Sequence, residues 1–393
     1  MKSWLVDDSE YAFDEIWRIH PELQNTGSSA WWFFLLLPEQ ESGYGPRQMM
    51  FSYASRAGQL IAVRDKWQKG FDVDTVEQQD KAEAEFMTTV VGWINDGDQV
   101  HEEIVHQGVL AHLSGAEGYL RAFNEVDGKS LGAEIKISED KELGIDADFR
   151  GERGYARFTV WSDPEDKEHL PQITDINPKF VGRFFNVHLV AWRKVNFRGV
   201  FKSPAKVEEL QGIGYFQRVL FNGPLLPWIW VWTVFEDKSV FSTFIPYFGV
   251  HNARRADRHF TDFFENRLLK IAPSAYFIWE SQPEMKETKF DQVSLRIENQ
   301  VKDLYDNLPV VKLRVANDTG DYLNIVVRAH GHAQFHLDRA VLKQFWMSRW
   351  NYNEFMVHID HISGKINGKS ISTNQEDIGE GWGNMEYTWG MSL

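Results

Sequence analysis

Hydrophobic positions along the chain recur in short runs bounded by turn residues, and only rarely at helical spacing. Trp31 to Leu37 is a continuous apolar run between Ser28-Ser29 and Pro38, and Gln48 to Tyr53 and Gln59 to Val63 lie on either side of Ala57-Gly58. Phe86 to Ile94 stops at Asn95-Asp96-Gly97, whose Asp-Gly step suits a hairpin turn. Val100 to Leu113, Gly118 to Phe123, Leu131 to Ile137, Leu143 to Phe149 and Tyr155 to Trp161 keep this rhythm. Short strands at regular intervals, with turn residues between them, predict a β-sandwich or barrel.

Ser162 to Pro178, rich in Pro and Asp, reads as a loop, and two aromatic strands are expected after it, Phe184 to Trp192 and Val195 to Phe201. Further on, Trp228, Trp230 and Trp232 alternate along one strand and so share a face. Glu236-Asp237-Lys238 reads as the turn into a returning strand, Val240 to Tyr247. Helical spacing occurs twice. A short helix is expected from Ser9, with Phe13, Ile16 and Trp17 on one side, and a second over Arg254 to Lys270, where Phe260, Phe263, Phe264 and Leu268 fall at i, i+3, i+4 and i+8. Strands then resume at Tyr276 to Glu280, Phe290 to Ile297, Val310 to Val315, Leu323 to Ala329, Glu354 to Ile362 and Gly383 to Trp389. At 393 residues the chain has room for two domains. The pattern predicts two all-β domains, over 1–205 and 206–393, each with about eight to ten strands, the number that closes an up-and-down barrel.

Composition adds rings and removes several chemistries. The chain holds 28 Phe, 16 Trp and 12 Tyr, which favours half-buried β surfaces and ring-lined hollows. Its net charge of -15 opposes a general nucleic-acid or anionic-membrane role. A local exception runs from Lys179 to Lys206. There Arg183, Arg193, Lys194, Arg198 and Lys202 interleave with Phe184, Phe185, Trp192 and Phe197, a pattern that serves either an anionic ligand or a hairpin with a cationic outer face. The absence of cysteine excludes disulfides, thiolate metal sites and thiol nucleophiles. An acidic N-terminal stretch, and an apolar run from Ala30 to Leu37 far below the roughly 20 residues that span a bilayer, lead us to expect a cytoplasmic protein.

The segment from Gly212 to Gly249 and the C-terminus resemble the tandem-lipocalin family that includes AttH-like proteins and carotenoid 1,2-hydratase. Gly212, Tyr215, Trp228, Trp230 and Glu236-Asp237 follow that family's signature of glycine, aromatic residue, Trp-rich strand and acidic turn, and Gly381, Gly383 and Glu386 follow its closing strand. The resemblance implies two lipocalin-like (calycin) antiparallel β-barrels with a few short helices, and an aromatic-lined cavity near the domain junction that takes an isoprenoid, polyene or lipid. The activity it implies is acid-assisted hydration, isomerisation or cyclisation of a carbon-carbon double bond. Gln217 and Arg218 stand where that family carries an acidic pair. Glutamine cannot protonate carbon, so a replacement acid is needed.

Glu280 and Glu386, each within an aromatic strand, are the candidate acids, since apolar surroundings raise a carboxyl pKa; salt bridges are the alternative. Tyr215, Gln217, Arg218, Trp228, Trp230 and Trp232 are the candidate ligand contacts. Alternation puts Tyr215 and Gln217 on one face and Arg218 on the other, and Arg218 can equally plug a barrel mouth. The tryptophans can equally be barrel core. His330 and His332 would share a strand face if the strand is regular, with His336, His358, Asp360 and His361 nearby as further ligands, but no metal and no other cofactor is expected. The expected partner is a hydrophobic small molecule, reached in part from a membrane surface, with no nucleic acid. A non-catalytic lipid-binding or scaffold protein is the alternative.

Overall fold

The computed structural model describes residues 9–18, 29–41, 43–56, 60–63, 66–69, 83–163, 169–176, 186–222, 227–248, 269–270, 272–282, 287–297, 308–341, 346–372 and 378–390. The helix expected over 254–270 lies outside them except for its last two residues, which form a short strand. One helix, α1 (Ser9–Asp14), precedes β1 (Ser29–Pro38), β2 (Gln48–Arg56), β3 (Leu60–Val63), β4 (Lys66–Lys69), β5 (Glu83–Asn95) and β6 (Val100–Ser114). Then come β7 (Tyr119–Val126), β8 (Lys129–Ile137), β9 (Gly144–Arg150), β10 (Tyr155–Trp161), β11 (Gln172–Ile176), β12 (Asn186–Lys202) and β13 (Val207–Asn222). The remainder is β14 (Trp228–Phe235), β15 (Val240–Phe248), β16 (Leu269–Lys270), β17 (Ser274–Ile278), β18 (Glu287–Phe290), β19 (Gln292–Ile297) and β20 (Val310–Ala316), followed by β21 (Tyr322–Val341), β22 (Trp346–Ile366), β23 (Lys369–Ser372) and β24 (Gly381–Gly390). The protein is all-β, built as two lipocalin-like barrels, one closed by ten strands and one nearly closed by nine. No helix among the described residues is long and apolar enough to cross a membrane.

Two compact units result: 1–36 with 49–94 and 101–224, and 37–48 with 95–100 and 225–393. In the first, the order β10-β9-β8-β7-β6-β5-β2-β1-β13-β12 returns to β10, which pairs with β12 and closes the ring. Strand β13, which follows residue 205, is therefore a stave of the first barrel. Alternation drives the ring's inner face. Trp32, Phe34 and Leu36 of β1, Phe51 and Tyr53 of β2, and Phe149 and Phe158 opposite them are all buried in one cluster. Phe51 stands 5.1 Å from Phe149 and 5.5 Å from Phe158, ring centre to ring centre. Each such side chain contributes about 2–3 kcal/mol by leaving water. Helix α1 and the turn that follows it add Phe13, Ile16 and Trp17 to this core, and Phe13 rests on Trp192.

Two details differ from the pattern read along the sequence. The Pro- and Asp-rich stretch contains a strand, β11, which adds to the edge of β12. The two aromatic strands expected around Trp192 are one strand, β12, whose register slips between Trp192 and Val195. That slip lets Trp192, Val195, Phe197 and Phe201 all face the core, leaving Arg198 and Lys202 exposed on the other side. Arg198 pairs there with Glu209 at 2.6 Å. The described part of the cationic stretch is thus the outer face of a hairpin; Arg183, Phe184 and Phe185 lie outside the described residues.

In the second unit the order is β18-β17-β15-β14-β24-β22-β21-β20-β19. Ile229, Val231 and Phe235 of β14, Met385 and Tyr387 of β24, and Phe355, Val357 and Ile359 of β22 fill its interior. The two end strands, β18 and β19, follow one another across Asp291 and do not pair, so there the ends of the run of ladders are linked by the backbone alone.

Candidate active site on the outer face of the second barrel

Since Ile229, Val231, Met385 and Tyr387 point inward, alternation turns Trp228, Trp230, Trp232, Asn384 and Glu386 outward. The expectation that the three tryptophans share a face holds, and the face is the outer one rather than the lumen. Register fixes three rows across it. Phe244, Trp230, Glu386 and Glu354 stand side by side on β15, β14, β24 and β22. Ser242, Trp232, Asn384 and Met356 form the next row, and Val234, Trp382 and His358 the one after. Close approach makes this possible. A Cβ at Gly383 of β24 would collide with the backbone of Trp232 and Thr233, so only glycine lets the two strands lie together.

Glu354 and Glu386 are direct cross-strand neighbours, so their Cβ atoms lie about 5 Å apart. Glu354 is 0% exposed and Glu386 3%. Burial raises the pKa of Glu354 far above the usual carboxylate range, and the neighbouring Glu386 charge adds to it. Burial likewise pushes Glu386 up to about 7, against the hydrogen bonds from Tyr352 and Trp228 that favour its ionised form. Two carboxyls this close and this dry share protons instead of both ionising.

The surrounding polar groups hold the pair in place. Trp228 Nε1 donates to Glu386 Oε2 at 2.7 Å, and the Trp228 backbone N–H donates to Thr388 Oγ1 at 2.8 Å. Asn384 Nδ2 donates to Glu354 Oε2, and Gln48 Nε2 donates to Asn384 Oδ1 at 2.8 Å. Gln48 thereby fixes which end of the Asn384 amide faces the carboxyl. Oε1 of each glutamate is buried with no hydrogen-bond partner among the described residues. Burial next to the two carboxyls also raises the Tyr352 phenol well above its ordinary range.

Exposure grades across the first row, from Glu354 through Glu386 to Phe244, which is 40% exposed. Trp228 lies 6.3 Å from Phe244 and 6.1 Å from Tyr352, the latter at 75°. The three rings therefore line the accessible edge beside Glu386.

The other sequence candidates lie elsewhere. Glu280 is beyond the end of β17, in a turn, where its backbone N–H donates to Ser239 Oγ. Along β14 that end of the sheet is about 15 Å from Glu386. Tyr215 and Gln217 of β13 belong to the first unit and satisfy one another, Tyr215 Oη donating to Gln217 Oε1 at 2.9 Å. Arg218, on the opposite face as alternation required, is buried inside the first barrel with its guanidinium 5.7 Å from the Trp32 ring centre. Its Nη2 donates to the Arg18 carbonyl just past α1, and burial lowers its pKa to about 9, opposed by Glu15. Arg218 thus acts as a plug at the α1 end of that barrel.

The histidines do not share a face. Strand β21 bulges between Ala329 and Gly331, where a Cβ on Gly331 would come within 2.7 Å of Met356 Sδ. The slip sends His332 inward, stacked 4.7 Å from Phe355 and bonded to Asn353 at 2.9 Å. His330 instead joins Trp382 and His358 on the outer side, with its pKa lowered to about 4 by burial and the His358 charge. His358 Nε2 pairs with Asp360 at 2.6 Å, and Arg328 holds the same carboxylate at 2.7 Å. No group of side chains among the described residues has the arrangement to hold a metal ion. The side chain of His336 lies outside the described residues.

Glu354, Tyr352 and Phe244 were not singled out from the sequence. The available signal for Glu354 was its place in a long run of alternating apolar residues, Tyr352 to Ile362, where an outward position should be exposed but is not. No known protein family and no curated protein matches the chain by sequence. Among solved structures it is similar in fold to an AttH candidate from Nitrosomonas europaea, 12% identical over 93% of both chains with a TM-score of 0.48. It is similar also to CghA, solved with Sch210972, at 11% identity over 93% of this chain and 89% of that one, again with a TM-score of 0.48. A third likeness is kievitone hydratase from Nectria haematococca, at 9% identity over 96% and 94% of the two chains, with a TM-score of 0.36.

Proposed function

We propose that an apolar small molecule of the isoprenoid, polyene or lipid class lies against Phe244, Trp228 and Tyr352, and that Glu386 gives a proton to one of its double bonds. The observation that carries this reading is the buried Glu354–Glu386 pair opening onto a ring-lined edge. The pair keeps a proton at neutral pH, as acid catalysis on an alkene requires. The proton forms a new C–H bond and leaves a carbocation, which the ring faces stabilise. In a hydration, water adds to that cation and gives its extra proton to the Glu386 carboxylate; in an isomerisation or cyclisation that carboxylate takes a proton back from carbon. Neither course needs an oxidant or reductant. Glu280 takes no part in this reading, and Glu354 serves Glu386 by holding the second proton.

The test is incubation with polyprenyl alkenes in deuterium oxide, together with mass spectrometry of apolar compounds extracted from the purified protein. Deuterium fixed on carbon by the natural chain and not by Glu386→Gln supports proton transfer from this site. An extracted ligand with no deuterium incorporation would instead establish a carrier. A protein that neither retains nor binds any hydrophobic compound would end both readings.

A further inference from the structure

The middle row of the outer face is sealed although it points away from the barrel interior. Trp232, Asn384 and Met356 are wholly buried there, so chain from outside the sheet lies over them. Residues Gly43 to Gln48 belong to the second unit and form such a strap. It meets the sheet at three points taken in chain order. Gly43, with a φ of 83°, stands beside Glu236, where an added Cβ would come within 3.0 Å of Glu236 Cγ. Gly45 lies against the Trp382 indole, and a Cβ there would fall 1.8 Å from a ring carbon, so no side chain fits between strap and ring. Gln48 reaches the middle row and donates to Asn384, which in turn donates to Glu354. The strap thus follows β24 from its Gly381 end toward the carboxyl pair. Asn95 Nδ2 braces it by donating to the Pro46 carbonyl at 3.2 Å.

Burial is the chief cause of the raised Glu386 pKa, so whatever keeps water from the pair sets its charge. Among the described residues, Tyr352 and Glu354 are the titratable groups against Glu386. Strands β14 and β15 and the rest of β24 present Trp228, Trp230, Phe244, Asn384 and Thr388, none of which ionises. On the strap, Tyr44 lies toward Glu39 and Asp237, and Arg47 against the Gly97 turn. His358 is two rows away on β22, beside His330 and engaged by Asp360.

We propose that the strap is a proton switch for the pair: seated on Trp382 and Asn384 it keeps water from Glu354 and Glu386 and holds them protonated, and raised it admits water and lets Glu386 ionise. Gly45 and Gln48 are then positioning residues, acting through Trp382 and Asn384. The relation runs both ways, since a state that favours the proton is favoured by it; ionising Glu386 loosens the strap. The inference concerns the site assigned above and rests on that reading only in taking the pair as protonated, with no need of turnover.

The ionisation midpoint of Glu386 is read from the stability difference between the chain and its Glu386→Gln variant over pH 5 to 8.5, once with Gly45 and once with Gly45→Ala in both. We expect the midpoint to fall from about 7 to about 6 with Gly45→Ala, because the methyl group lifts the strap from Trp382. Adding Trp382→Leu, which makes room for that methyl, should return it toward its original value. Hydrogen exchange over residues 37–48, followed by mass spectrometry, reads the reverse effect in an unaltered strap. At pH 8.5 these amides should exchange about tenfold faster in the native chain than in Glu386→Gln, the factor that one unit of linkage carries, and equally fast at pH 5.5. An unmoved midpoint in Gly45→Ala would overturn the proposal. So would equal exchange at pH 8.5, which decides the matter alone if Gly45→Ala does not fold. A moved midpoint in a chain that puts no deuterium on any alkene would support the strap and refute catalysis by Glu386.

Discussion

Replacing Glu386 with glutamine should make the second barrel less sensitive to alkali. Glu386 is 3% exposed and titrates near 7, against an ordinary 4.5 when unfolded. A carboxyl whose folded pKa is raised binds its proton more tightly in the native state. Its contribution is complete below about pH 4.5 and is lost as the pH rises through about 7. The difference of 7 less 4.5 is 2.5 units, or about 3 kcal/mol of stability that the native chain forfeits between those limits. Glutamine keeps the shape and can still accept from Trp228 Nε1, yet cannot ionise. The two chains should therefore be close in stability near pH 5, with the variant ahead by about 3 kcal/mol at pH 8.5. For a unit of this size that is about 6–12 °C in melting temperature. Thermal unfolding followed by circular dichroism at half-unit pH steps measures the difference curve, in which groups titrating elsewhere cancel. A flat difference from pH 5 to pH 8.5 would mean that Glu386 is ionised in the native barrel at neutral pH, which would remove the proton from the proposed chemistry.

Trp228→Phe removes the indole donor to Glu386, so the midpoint of that same difference curve should move up by about one pH unit; an unmoved midpoint would show that the contact has no electrostatic weight. Arg218→Ala should destabilise the first barrel by about 2–4 kcal/mol, through lost packing on Trp32 and an orphaned Arg18 carbonyl, whereas Arg218→Met should cost less than half of that. Urea titration of both variants checks it, and equal losses would refute the packing argument. Gly331→Ala should cost about 1–3 kcal/mol by pressing on Met356, with partial recovery in the double variant carrying Met356→Ala; additivity of the two would deny the contact.

Much of the fold was legible because strand alternation is a local property. The Asn95-Asp96-Gly97 turn, the returning pair around Glu236 to Lys238 and the shared face of the three tryptophans all follow from neighbours in the sequence. What the chain does not announce is which face becomes the lumen. Trp228, Trp230 and Trp232 are as apolar as Ile229 and Val231 between them, and only closure of the ring decides that the latter point inward. The site was half visible for the same reason. Glu386 stood out as a carboxyl among rings, but its partnership with Glu354 depends on β22 and β24 meeting in one register, more than thirty positions apart. Glu280 looked equivalent by composition. It differs only because β17 ends at Ile278 and leaves it in a turn. The histidine reading failed on one inserted residue, the bulge beside Gly331, which local polarity does not reveal.

In the second ring the backbone itself links the two ends of the run of ladders. Strands β18 and β19 follow one another across Asp291, a covalent joint one residue long. Lys270 Nζ of β16 adds a donor to the Val293 carbonyl of β19 at 3.0 Å. The first ring is shut instead by a ladder, β10 on β12, so its closure is made of hydrogen bonds where the second's is made of peptide bonds.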